Sequence, residues 1–92
     1  MSIVVRFPLS NATKLQYDTV HDALEKSGDW PPEGCLMHVC FGEDQHVRVS
    51  EIWESKEQLE AFGEKLRPHL EAAGIQLSGE PEVFEALNVE TF

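Results

Sequence analysis

The sequence predicts a single α+β domain: one antiparallel sheet with two helices on one face. Three observations carry that prediction. Ninety-two residues leave room for one core. The chain is 41% hydrophobic with apolar and polar residues interspersed, the composition of a folded protein. Its hydrophobic pattern switches between strand and helix periods in the order β-α-β-β-α-β.

Ile3 to Phe7 is a β-rich run closed by Pro8, which has no N–H for a ladder. Thr13 and Gln16 have capping-box spacing, and Tyr17, Val20 and Leu24 form an apolar helical stripe stopped by Gly28. Residues 29–34 form a stiff loop whose Trp30 reads as a plug over the helix end, or as a lid over a pocket. Residues 35–41 and 45–53 are strands joined by a tight hairpin at Gly42-Glu43-Asp44. Ser55 and Gln58 cap a second helix with the stripe Leu59, Phe62, Leu66, and Pro68 is expected to end or kink it near Leu66. Residues 82–89 make the last strand. This is the split-βαβ, ferredoxin-like arrangement.

With Glu43 and Asp44 at the hairpin tip, Val39 pairs with Arg48 and Met37 with Ser50. Cys35, Met37, Val39, Phe41 and Ile52 then share the face expected to pack on the helices. Leu36, His38, Cys40, Val47, Val49, Glu51 and Trp53 share the other, joined by Arg6 from the first strand. That second face is too apolar to stand in water, so a second copy is expected to cover it, sheet to sheet, enclosing a central chamber.

The strand order, the stretch Glu51-Ile52-Trp53-Glu54-Ser55, the loop Trp30-Pro31-Pro32 and the pair Phe62-Gly63 resemble the antibiotic-biosynthesis-monooxygenase-like branch of the dimeric α/β-barrel superfamily. The resemblance implies a homodimeric barrel. It brings in a mixed set of activities: cofactor-independent oxygenases of polycyclic aromatic substrates, haem-degrading enzymes, isomerases, and members without known activity. Haem-degrading members use an Asn on the first strand and a Trp and a His on the second helix. Here the first strand has no Asn, Phe62 stands at the Trp position, and His69 follows Pro68.

Among the residues facing the expected chamber, His38 can serve as a general base near neutral pH, or as a neutral core histidine at the dimer interface. Glu51, diagonal to it, can be its partner or the structural ion-pair mate of Arg6. Trp53, Leu36 and Val49 would contact substrate, with Trp53 stacking on a flat molecule or packing at the interface. Arg6 could hold an anionic group. Tyr17 and His21 share one helix face, Tyr17 in the core stripe and His21 at its margin.

The expectation is a small oxygenase or isomerase acting on an apolar or aromatic molecule with no cofactor. The alternative is a non-catalytic homodimeric ligand-binding or stress-associated module, and the third reading is haem binding. A formal charge of −10 disfavours nucleic-acid and membrane-surface partners. No apolar run is long enough to cross a membrane and the first residues lack a signal-peptide core, so a cytoplasmic location is expected. Cys35 and Cys40 are spaced along one strand beyond bridging distance and should be free thiols. No residue set has structural-zinc spacing, and phosphate-loop and serine-elbow motifs are missing.

Overall fold

A computed structural model describes residues 2–92. Its elements are β1 (Ile3–Phe7), β2 (Leu9–Ser10), α1 (Lys14–Ser27), β3 (Cys35–Glu43), β4 (His46–Trp53), α2 (Lys56–Ala73), β5 (Gln76–Leu77) and β6 (Glu82–Glu85). The main sheet is antiparallel with strand order β3-β4-β1-β6, and both helices lie on one face, the ferredoxin-like arrangement. β2 and β5, two residues each, form a separate small ladder that the periodicity did not announce.

The helix termini follow the local chemistry. The Thr13 hydroxyl accepts the Gln16 N–H at 3.2 Å, and the Gln16 side chain accepts the Thr13 N–H at 2.9 Å, completing the capping box of α1. Gly28 ends α1 at φ 82°, in the left-handed region where a side chain is disfavoured. The second helix corrects one half of an expectation: α2 does not end near Leu66 but continues through Pro68 to Ala73. Proline deletes one backbone bond there, but Pro68 is exposed and water can take up the freed carbonyl. The last strand is also shorter than expected, ending at Glu85.

The hairpin turns at Asp44 and Gln45, with Glu43 opposite His46. Pairing is displaced by two residues from the expected register, so His38 lies directly opposite Glu51 and Val39 opposite Ser50. A displacement of two leaves every side chain on its own face. What changes is which face the helices cover. Val47, Val49, Glu51 and Trp53 are buried beneath the helices, and Met37, Val39 and Phe41 stand 49%, 43% and 44% exposed on the open side. The expected facing is therefore inverted.

The first strand explains the inversion. Ile3, Val5 and Phe7 pair with Trp53, Glu51 and Val49, so both strands send their apolar alternation to the same side, with Val5 and Trp53 fully buried. Arg6 pairs with Ser50 and lies on the open face, as does Arg48. Turning that face inward would strip two guanidiniums of water. Leu36 is a second correction. A β-bulge between Cys35 and Met37 resets the alternation, so Cys35 packs toward the core and Leu36 is left 53% exposed.

Candidate functional site

The chamber forms within one chain, between the sheet and the two helices. Its volume is about 70 Å³, and its walls are almost wholly apolar. Of the residues expected to face a chamber, His38, Val47, Val49 and Glu51 line it. Trp53 is fully buried beside it, bonded to Glu51. Arg6 and Leu36 are absent from it, for the reasons of strand phase and bulge given above. The suggested Arg6–Glu51 ion pair is impossible, since the two side chains leave opposite faces of the sheet.

The polar groups form one chain of hydrogen bonds. His38 Nδ1 and Glu51 Oε2 are 2.6 Å apart, and the Trp53 indole N–H donates to Glu51 Oε1 at 2.9 Å. An ionised carboxylate can only accept, so Nδ1 carries the imidazole proton in that bond. The other ring nitrogen, Nε2, is 2.6 Å from the Tyr17 hydroxyl. Burial pushes the Tyr17 phenol up to about 12, with the nearby Cys40 and Glu51 adding to the effect. The phenol thus stays protonated and donates to Nε2. Glu51 orients the imidazole from behind, and Tyr17 presents the network to the chamber.

Each position follows from a local rule. Cross-strand pairing sets His38 against Glu51, and two-residue alternation puts Trp53 on the same face as Glu51. The α1 stripe aims Tyr17 down at β3. The strand residues were legible, but Tyr17 had been read as core. Its signal is that the chain's one tyrosine lies in the stripe of a helix that must cross a strand bearing a histidine.

Aromatic rings close the rest. Trp30 meets His38 edge-to-face at 4.9 Å and 86°, meets His21 at 4.9 Å, and lies 6.4 Å from Phe62. It stands on the chamber wall. His21 also bonds Glu25 at 2.8 Å, and with Asp22 these place ligand atoms within 4.8 Å of one another, a consequence of helical spacing on a mostly exposed surface. Cys35 and Cys40 are free thiols; burial pushes Cys35 up to about 11 and Cys40 upward too. His69 is not among the chamber's lining residues, so this geometry gives the haem reading no support.

Comparison with solved structures places this arrangement. No family model and no curated protein matches the sequence. Solved structures do match. Over 94% of this chain and 99% of its own, a structural-genomics protein called YJCS superimposes with a TM-score of 0.65 at 14% identity. SnoaB of Streptomyces nogalater, described as a cofactor-independent oxygenase, covers 96% of this chain with 93% of its own, at TM-score 0.60 and 17% identity. A Caulobacter crescentus protein assigned as a candidate antibiotic biosynthesis monooxygenase covers 97% with 89% of its own, at TM-score 0.57 and 20% identity. The chain has the fold of the antibiotic-biosynthesis-monooxygenase-like proteins. At these identities the likeness concerns the fold, and the chemistry must be argued from the site. Among the described residues, no helix is long and apolar enough to cross a membrane.

Proposed function

We propose that this protein is a cofactor-independent oxygenase acting on a flat apolar molecule with a weakly acidic C–H or O–H group. The observation that carries the reading is an imidazole held between a buried carboxylate and a neutral phenol, facing an otherwise apolar chamber. His38 takes the substrate proton, either directly once Tyr17 yields its place or through the Tyr17 hydroxyl. Glu51 stabilises the imidazolium that forms. For an activated methylene, the resulting carbanion gives its electrons to dioxygen, forming a C–O bond and, after reprotonation, a hydroperoxide. Loss of water leaves the ketone, so one oxygen atom enters the product and the other leaves as water. The apolar walls keep bulk water from quenching the carbanion.

Oxygen uptake with a tricyclic activated methylene such as anthrone tests this. Wild type should consume oxygen and form the ketone, and His38→Ala should lose the activity while remaining folded. Activity surviving in His38→Ala overturns the role given to His38.

One observation favours a second reading. A volume of about 70 Å³ is well under the roughly 300 Å³ at which drug-sized ligand pockets begin, as expected of a packed, non-catalytic module. Failure of wild type to turn over any activated methylene or hydroquinone, with Tyr17→Phe costing only stability, would favour it.

A second copy as partner is part of the same proposal. Across the open face, Met37, Ile52, Val4 and Phe84 form one cross-strand row spanning all four strands, with Met37 49% and Phe84 51% exposed. Such a row suits burial against another sheet. Light scattering at micromolar protein should give twice the chain mass; a monomer sinks this part.

A further inference from the structure

The chamber has a neighbour. On the outer side of the loop that follows α1 lies a groove of about 360 Å³, floored by Pro31, Pro32 and Ala61 and edged by polar groups including Gln58 and Lys65. Phe62 lines both spaces. Trp30 lines the chamber, and its chain neighbours Asp29 and Pro31 line the groove. Phe62 is therefore shared by the two spaces, and the Trp30 ring stands beside it on the chamber side, 6.4 Å away, in the loop whose next residues face the groove.

The two tryptophans are held very differently. Trp53 is fully buried, and its N–H is bonded to Glu51. Among the described residues, no group accepts the Trp30 N–H, and no buried side-chain nitrogen is left without a partner, so that N–H lies at the solvent. The Trp30 side chain is held by apolar packing against the core and by its ring contacts, with no hydrogen bond of its own among the described residues. The backbone around it is tied at Asp29, whose N–H bonds Leu24 O at 3.0 Å, and at Pro32, whose carbonyl accepts from Cys35 at 3.2 Å. Among the described residues, Trp30 and Pro31 between those ties donate no backbone bond. The Lys65–Asp29 ion pair, 3.7 Å long with its lysine exposed, adds little.

We infer that Trp30 is the gate between groove and chamber and the residue that sets how large a ligand reaches His38. This rests on the oxygenase reading of the chamber and adds its access route. Turning the Trp30 ring outward joins two spaces that together exceed the roughly 300 Å³ a drug-sized ligand requires. The occupant is then a flat apolar molecule larger than the closed chamber, entering past Phe62 with its leading edge against His38 and Tyr17. Replacing the ring removes no hydrogen bond from the Tyr17–His38–Glu51 chain, although it takes away the edge-to-face contact with His38.

The test uses 2-naphthol as probe and the His38 ring-proton resonances as readout, which report occupancy without requiring turnover. In wild type, entry should be slow and limited by the gate. In Trp30→Ala, exchange between free and occupied His38 signals should be at least about tenfold faster. Trp30→Phe, which keeps an aromatic wall and serves should the alanine variant not fold, should fall between. Occupancy in the variants with none in wild type also supports the gate. Equal exchange rates in all three proteins, or His38 signals unmoved in all three, overturn it. Oxygen uptake by the same proteins separates the two claims. Gated occupancy without turnover removes the oxygenase reading and leaves the gate, and turnover with ungated exchange does the reverse.

Discussion

His38 and Glu51 face each other across neighbouring strands with 2.6 Å between Nδ1 and Oε2, and the carboxylate is 4% exposed. A carboxylate so enclosed is stable only while its oxygens are occupied by donors, and here each has one: His38 on Oε2, Trp53 on Oε1.

Glu51→Gln tests that arrangement with almost no change of shape. An amide offers one accepting oxygen and one NH₂, so with the Trp53 N–H on that oxygen the His38 proton must move to Nε2 for Nδ1 to accept the NH₂, and the Tyr17 hydroxyl then loses the acceptor for its own proton. The expected cost is about 1–3 kcal/mol, the range for a buried unsatisfied group. Urea unfolding measures it, and a change under about 0.5 kcal/mol would contradict the bond assignment.

Tyr17 gives a direct optical test, being the chain's one tyrosine. The phenolate absorbance should titrate near 12, against 10.0 for a free phenol. The sign for stability follows. The native phenol holds its proton to higher pH than the unfolded one, so this contribution is complete below pH about 10. It then falls as pH rises to about 12. An ordinary phenol titration would mean that Tyr17 is solvated and not held against His38.

The two sheet faces should respond oppositely to a buried charge. Val49→Asp places a carboxylate in the chamber wall and should cost several kcal/mol, roughly 2–5, measured by thermal melting. Val39→Asp, on the open face, should leave the fold nearly unchanged and weaken self-association, measured by light scattering. The reverse pattern would restore the facing expected from sequence.

Cys35 should be a slow thiol. With its ionisation pushed up to about 11 by burial, little thiolate exists at neutral pH, so alkylation should lag well behind that of a small free thiol. Rapid modification of the folded protein would show that the bulge opens.

Much of the fold was legible because its signals are local. Thr13, Gln16 and Gly28 bound α1 by chemistry confined to a few residues. Alternation survived even a misplaced turn: putting the tip at Glu43-Asp44 rather than Asp44-Gln45 moves the pairing by two, which preserves face membership. The facing itself was harder, since both surfaces hold apolar side chains. The deciding signal was nevertheless present in β4, where His46, Arg48 and Ser50 alternate with Val47, Val49, Glu51 and Trp53, and in Arg6 standing between Val5 and Phe7. Leu36 could not be placed from alternation, because a bulge is an interruption of the period used to read it. Tyr17 and Trp30 were visible as residues. Their meeting with His38 depends on how α1 and its following loop lie over the sheet, which no short-range pattern encodes.

The bulge at the start of β3 has a further consequence. β3 is one of the two edge strands of the sheet, nine residues long and rich in Leu, Met, Val and Phe, a segment on which a stray chain could add itself and begin a fibril. By breaking the ladder rhythm between Cys35 and Met37, the bulge denies an incoming strand a regular template at that end. The irregularity that turns Cys35 inward thus also guards the molecule against stacking with its own unfolded kin.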